Sequence, residues 1–527
     1  MQPEHFSSFT TRRKFIRQAA CAALGTAALT NTIRDLRFIN AAMAQTPSVD
    51  YKALVCIFLS GGNDSNNLFI PTESSEYASY AAIRTPVLAI PNSDGGSASA
   101  LALNPLNSDG HSYGLHPACR ELQAMFNATP MPVNGNTNSG KLAALFNTGT
   151  LVYPMTKAQY QNGSVARPPQ LFSHSDQITQ WQTSIPDRPP TTGWGGRCAD
   201  LMDTMNPRNG NAAALSLCIS LAGANTFEVG GVVQQYAVNT GGVVSLSLPG
   251  PASTARAAAF NSILGIDEVQ SNMLVQNYAL ALDHSLATGS SLSASLANSP
   301  LLASYFNVAA NFPSIAVPNG GPTINNSSLM AQLKMVAKII DAGYRSSAQG
   351  GLGMKRQIFF CQVGGYDTHT GQTNNAGAAN PSATGAILGS QANLLAELSQ
   401  SMNAFQAAMH KIGLQYGDAD FEKRVTAFTN SDFGRTFPSN ALGSDHGWGS
   451  HHLIMGGAVN GQRTFGTWPT LAVGGPDDTS TGRWIPTTSV DQFAATLAKW
   501  FGVDNTKMST VFPNLGRFSA PDLGFMS

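Results

Sequence analysis

Charge is scarce in this chain. Only 11% of its 527 residues are Asp, Glu, Lys or Arg, the two signs number 30 each, and no stretch gathers the cations into a basic stripe. A nucleic-acid binder needs such a stripe to neutralise phosphates, so that class of partner is excluded. Past the N-terminal segment the sequence also lacks any apolar run near the ~20 residues that cross a bilayer as a helix, which argues against a membrane span in the mature form. Cysteine is sparse: of six, Cys21 falls in the N-terminal segment, and Cys56, Cys119, Cys198, Cys218 and Cys361 remain. No two of them have the spacing of a zinc site. Cys56 and Cys361 lie in apolar, strand-like runs and read as core, whereas Cys198 and Cys218 are a pair that an oxidising compartment could join. There is no internal repeat and no linker that divides the rest of the chain, so residues 45–527 read as a single α/β domain with insertions.

What is present begins with Thr11-Arg12-Arg13-Lys14-Phe15-Ile16-Arg17, two adjacent arginines ahead of an apolar pair and another base. This is the twin-arginine pattern, read by an export machinery that carries folded proteins. An uncharged Ala- and Leu-rich run from Gln18 to Thr30 follows, and Ala42-Met43-Ala44 then offers the small-x-small site of a signal peptidase. Residues 1–44 are therefore expected to be a twin-arginine signal peptide, and the mature chain, from Gln45, to work in the periplasm or outside the cell. The leader takes six Lys+Arg and two Asp+Glu, leaving 24 against 28 and a slightly acidic mature protein. A small neutral or anionic ligand suits such a surface. With 51 Gly and 29 Pro the chain is rich in loops, while 43% hydrophobic residues suffice for a large core.

Continuous apolar runs recur and stop abruptly at Gly, Asp or Ser. Ala53 to Leu59 precedes Ser60-Gly61-Gly62, and similar runs cover Leu151 to Tyr153, Ala214 to Leu221, Gln357 to Val363, Val425 to Thr429 and Leu453 to Met455. They predict buried parallel strands. Helical patterns lie between them, at Leu329 to Tyr344, Gln391 to Ile412 and Val490 to Phe501. The alternation predicts a mostly parallel central sheet flanked by helices. Long polar connections are expected at Asn92 to Ser112, Asn134 to Gly140, Ala287 to Ser299, Pro313 to Ser328 and Gly371 to Thr384.

Open α/β sheets place their sites at the carboxyl ends of strands, and here acidic and histidine residues gather where strands run out. The first strand ends in Gly61-Gly62-Asn63-Asp64-Ser65, and a later one in Gly364-Gly365-Tyr366-Asp367-Thr368-His369. A third ends in Ser431-Asp432-Phe433-Gly434-Arg435, followed by Ser444-Asp445-His446-Gly447-Trp448-Gly449-Ser450-His451-His452. Carboxylates and imidazoles in such sets hold divalent metals and leave a position for water or substrate. Each also has a structural reading: Asp64 and Asp432 as loop or helix caps, Asp367 in an Asx-turn, the histidines packed around Trp448. Phe172-Ser173-His174-Ser175-Asp176-Gln177 precedes a helix-like stretch from Gln177 to Gln182. A hydroxyl there is either an N-cap or a nucleophile beside an anion site.

The segments Leu59 to Asp64, Gly364 to His369, Ser431 to Thr436 and Ser444 to Gly447 resemble the successive motifs of the bacterial domain-of-unknown-function family numbered 1501, and the resemblance runs from about Lys52 to Phe512-Pro513-Asn514-Leu515. That family is grouped with the alkaline phosphatase and sulfatase superfamily, which uses two metal sites and a hydroxyl-type nucleophile to hydrolyse phosphate or sulfate esters. By that resemblance the fold is alkaline phosphatase/sulfatase-like, Asp64 matches the first-strand ligand, and Asp367 and His369 match the acid and imidazole of a second metal. Ser173 or Ser65 becomes the nucleophile. The superfamily's Asp-His-Gly corresponds either to Asp432-Phe433-Gly434, which puts a non-coordinating Phe433 at the histidine position, or to Asp445-His446-Gly447, with His451 or His452 as the last ligand.

These readings converge on an exported, metal-dependent hydrolase of small anionic phosphate or sulfate esters. In it Asp64, Asp367, His369, Asp432, Asp445, His446, His451 and His452 are the candidates for holding divalent ions (Zn, Mn, Mg or Ca), with Arg435 neutralising the substrate. The competing reading is a non-catalytic secreted binding or assembly protein that keeps the scaffold with a degenerate metal site.

Overall fold

A strand apolar at every position must be covered on both faces. Lys52–Leu59 forms such a strand, β1, buried at every residue after Lys52. The structure, a computed structural model, describes residues 50–92, 98–128, 140–206, 215–243 and 273–527, with four single positions between 255 and 262. The expected signal peptide and most of the 134–140 connection lie outside the described residues. Backbone contacts group Ser48–Ser527 into one unit. Among the described residues no helix is long and apolar enough to cross a membrane.

The main sheet has nine strands: β1, β2 (Leu142–Gly149), β3 (Cys218–Ser220), β4 (Tyr236–Ala237), β5 (Arg356–Val363), β6 (Val425–Ser431), β7 (Ser450–Gly456), β8 (Thr464–Gly466) and β9 (Thr488–Ser489). Their order is β8-β2-β7-β6-β1-β5-β3-β4, with β9 paired to β2. All pairings are parallel except those β7 makes with β6 and β2. The register sets Leu59 opposite both Val363 and Ser431, so three strands end at one edge. Because β7 runs the other way, the residues that precede it reach that same edge.

Successive side chains on a strand point to opposite faces, and the two faces carry different cores. Ala53, Val55, Ile57 and Leu59 of β1 join a cluster with Leu333 and Val336 of helix α5 (Ser328–Tyr344) and Leu395 and Met402 of α6 (Ser390–Tyr416). The alternate face is aromatic: Phe58 packs on Phe360, Trp194 on Phe428, and Phe428 on Phe493. Helices α3 (Trp194–Met202) and α7 (Val490–Phe501) cover it. The architecture is thus α/β, a large mostly parallel sheet between helical layers. Helix α7 starts at a capping box of Ser489 and Gln492, which satisfies two backbone donors.

Several expectations differ from the structure. The apolar run at 151–153 is not a strand; the strand is 142–149, with an irregularity in its pairing with β7 near Asn147, which adopts φ 45°. A bulge of this kind bends the chain away, and Leu151 packs instead in a satellite core with Trp448, Ile485 and Phe518. Of the described part of the run 214–221 only Cys218–Ser220 is strand, and Leu453 to Met455 lies in an antiparallel one, β7. The stretch 287–299 is mostly the end of a helix, α4 (Met273–Ala297), whose serines hide the pattern; Leu292 is fully buried in the core. Packing of this kind overrides weak intrinsic propensity. Cys56, Cys119, Cys198, Cys218 and Cys361 are all free and buried, so Cys198 and Cys218 are not joined.

Candidate functional site

The strand tips need close backbone approach before their side chains can meet. Gly61 has φ 119° and Gly62 φ 83°, conformations that L side chains rarely adopt. A Cβ at Gly61 would fall on the Asp367 amide, and one at Gly62 on the Phe433 ring. The two glycines therefore let the β5 and β6 tips close over β1.

Asp367 stands at the centre of the resulting cluster. His369 Nε2 lies 3.3 Å from its Oδ1, His446 Nε2 3.4 Å from the same oxygen, and His174 Nε2 3.5 Å from Oδ2. His174 is the first residue of helix α2 (His174–Thr183). Ligand atoms of His174, Asp367 and His446 all lie within 4.8 Å of one another, the arrangement that could hold a metal ion. His369 flanks this set, with its Nε2 2.9 Å from His446 Nε2.

The other nitrogen of each ring is anchored. Nδ1 of His174 meets Asp432 Oδ2 at 2.7 Å, Nδ1 of His369 meets Asp445 Oδ1 at 2.9 Å, and Nδ1 of His446 meets the Phe172 carbonyl at 2.7 Å. A carboxylate or carbonyl only accepts, so each Nδ1 carries a proton and Nε2 of a neutral ring is a lone pair; the 2.9 Å contact between His369 Nε2 and His446 Nε2 requires a second proton on one of those rings or an ion beside both. Three Nε2 atoms thus converge on one carboxylate. Tetrahedral zinc with ligands at 2.0–2.2 Å sets neighbouring donors about 3.4 Å apart, which matches the three distances to Asp367. The donor set fits a borderline divalent ion, and the anchoring groups are of the kind that orients metal-binding imidazoles.

Electrostatics follow burial. Desolvation raises the Asp367 carboxyl, but the Arg435 hydrogen bond and charge, with His369 and His174, outweigh it and hold its pKa below the ordinary value. Desolvation also opposes ionisation of Asp445, where hydrogen bonds from Asn440 and His369 and the charges of His369 and Arg435 win and lower the pKa. For Asp432, only 1% exposed, desolvation dominates the Gly61 N–H and His174 bonds and the shift is upward. Burial lowers His446, with His174 and Arg435 adding to it against the Phe172 carbonyl, which favours the free base. Phe433 packs against the rings of both His174 and His446, with centroids 4.8 and 4.6 Å away, walling the cluster.

The remaining sequence candidates lie elsewhere. Arg435 is buried beneath Asp367, donating to it at 2.7 Å and to the carbonyls of Gly61 and Ser444, so it orients that carboxylate. Asp64 is buried and ion-paired with Arg84. Ser65 is buried in the turn after β1. His451 and His452 are neighbours on β7 and point into opposite cores: His451 against Phe146 and Trp468, His452 against Trp181 and Phe493. Burial pushes both imidazoles down to about 3. Ser173 occupies the N-cap position of α2 beside His174 without a side-chain cap bond, and its hydroxyl donates to Asp176 at 2.6 Å. His174 is not among the ligands expected from sequence, because no local pattern distinguishes it from a residue at an ordinary helix start.

Residues 348–517 match the model of the family described as protein of unknown function (DUF1501). That stretch carries the DUF1501 pattern. The DUF1501 match includes Asp367, His369, Asp432, Asp445 and His446, while His174 and Ser173 lie before it. No curated protein and no solved structure matches the chain.

Proposed function

We propose that this chain is a divalent-metal-dependent hydrolase of small phosphate or sulfate esters, of alkaline phosphatase/sulfatase type, acting after export by the twin-arginine route. One observation carries the reading: three imidazoles, each anchored through Nδ1, aim Nε2 at the same carboxylate. His174, Asp367 and His446 would hold the ion, with His369 completing the set. A bound divalent ion supplies Lewis-acid polarisation of the ester and stabilises the leaving oxygen.

The protein's own groups account for the rest. Asp432, Asp445 and the Phe172 carbonyl keep the rings in the correct tautomer. Ser173 is the better placed nucleophile, since it adjoins His174 while Ser65 is buried. Asp176 accepts the Ser173 proton at 2.6 Å and is placed to take it as the hydroxyl attacks. The exposed N–H groups at the start of α2 favour the developing negative charge.

The alternative, a metal-holding binding protein without turnover, is favoured by Arg435, whose guanidinium is held beneath Asp367 and the loop carbonyls and does not reach out for an anion. One assay separates the two. Mature protein loaded with Zn²⁺ or Mn²⁺ is tested on aryl phosphates and aryl sulfates, with the variants His446→Ala and Ser173→Ala. Hydrolysis that needs the metal, vanishes in H446A and falls at least about 1,000-fold in S173A is expected. Bound metal with no turnover above buffer rejects the hydrolase.

A further inference from the structure

Negative charge exceeds positive at this edge of the sheet, and the excess bears on how many ions it takes. Three carboxylates touch the imidazoles or lie among them: Asp367, Asp432 and Asp445. One guanidinium, Arg435, faces Asp367. With neutral rings the formal sum is two negative charges, which one divalent ion cancels. The groups whose charges act on Asp367, Asp445 and His446 come from this same set.

Asp64, at the tip of β1, is the fourth carboxylate of this edge; its charge is met separately at Oδ2, while its buried Oδ1 has no hydrogen-bond partner among the described residues. Its carboxylate and the Arg84 guanidinium are ion-paired, with both side chains 0% exposed. Arg84 is further fixed by Asn67 Oδ1 at 3.2 Å and by the Thr436 and Phe437 carbonyls at 3.2 and 3.0 Å. Gln372 donates to the same carboxylate, and its own carbonyl accepts from Ser444 at 2.7 Å, beside Asp445. A guanidinium does not lose its proton in proteins, so a fixed positive charge already stands against the Asp64 carboxylate. A divalent ion entering there would bring uncompensated charge into a dry site, where desolvation is costly.

We infer that the centre takes a single divalent ion and that Arg84 supplies Asp64 with the counter-charge a second ion would otherwise provide. The inference rests on the metal-centre reading above. It assigns Asp64 to the support of the site loop, through Gln372 and Ser444, and removes it from the ligands. Arg84 arrives from the kinked end of helix α1 (Ser74–Leu88), where Thr85 has φ 58° and Pro86 follows, so the backbone there is shaped around the residue that carries the charge.

The test counts ions. Mature chain stripped by chelator is titrated with Zn²⁺ and with Mn²⁺ by calorimetry, and bound metal is measured by elemental analysis after dialysis. One equivalent is expected in the wild type. Asp64→Asn should keep that equivalent with affinity within about 3-fold and lose thermal stability, whereas Asp367→Asn should weaken binding by at least about 100-fold. If D64N does not fold, the double variant Asp64→Asn with Arg84→Met removes both charges of the buried pair and should again bind one ion. Two equivalents in the wild type, or loss of an ion on changing Asp64, overturns the inference while leaving the metal reading intact. No bound metal in the folded wild type overturns both.

Discussion

Asp432→Asn is the sharpest perturbation of the proposed centre. Asp432 is 1% exposed and both its oxygens are engaged, Oδ2 with His174 Nδ1 at 2.7 Å and Oδ1 with the Gly61 N–H at 3.0 Å. The amide has nearly the same shape but only one accepting end. If its NH₂ faces His174, Nδ1 must become the acceptor, the proton moves to Nε2, and the lone pair aimed at Asp367 is lost. If the NH₂ faces Gly61, two donors meet in a buried place, at about 1–3 kcal/mol for the unsatisfied group. Removing a partner that orients a metal-binding imidazole typically lowers metal affinity 10–100-fold, or about 1.4–2.7 kcal/mol. Asp445, with its side chain 49% exposed, serves as the control, because water can replace it at His369; Asp445→Asn should weaken binding less than about 10-fold. Competition against a chromophoric chelator for Zn²⁺ measures both, and circular dichroism checks the fold. Binding by D432N within about 2-fold of wild type, or no weaker than D445N, would refute the claim that Asp432 sets the His174 tautomer.

Three further outcomes follow from the same geometry. Gly61→Ala should displace Asp367, since the added Cβ meets its amide and the preceding carbonyl carbon at a φ of 119°; a loss of about 2–4 kcal/mol in denaturant unfolding, with metal affinity reduced, is expected. Glu228 is fully buried, and desolvation raises its carboxyl to about 8 against the Asn225 hydrogen bond. Below its unfolded value, near 4.5, both states hold the proton and the contribution is complete. Between 4.5 and about 8 only the folded state does, so stability falls by up to about 1.4 kcal/mol per pH unit and the fall ends above 8. Glu228→Gln should flatten that slope in urea midpoints taken at pH 5 and 8; an unchanged slope would count against a buried, protonated Glu228. Saturating Zn²⁺ at about 100 times its dissociation constant should stabilise the wild type by about 2.7 kcal/mol, and His174→Ala should lose most of that gain in a thermal scan.

Much of the scaffold was legible because buried strands and long helices leave local traces. The runs Ala53 to Leu59, Gln357 to Val363 and Val425 to Thr429 are mostly apolar, as strands covered on both faces tend to be, and each coincides with an observed strand. The helical periods at 329–344, 391–412 and 490–501 coincide with α5, α6 and α7 within a few residues. Local traces fail where tertiary contacts decide. The irregularity at Asn147 lies within β2 and Leu151, just past the strand, packs in another core, and the Ser-rich half of α4 buries Leu292. Both depend on partners far away in the chain.

The same division holds at the candidate site. Sequence alone determined that acids and histidines follow strands, because a strand end followed by glycine is visible in a short stretch of residues. His451 and His452 directly precede the apolar run at 453–455, and in a strand a period of two sends neighbours to opposite faces, so they do not converge on a strand tip. Only the tertiary structure decided that Asp64 belongs to Arg84, that Arg435 lies beneath Asp367, and that His174 enters from a helix start to meet His446 across Phe433. The physical reason is that an imidazole's role depends on what faces each ring nitrogen, and those partners are supplied by segments that come together only when β1, β5 and β6 end at a common edge.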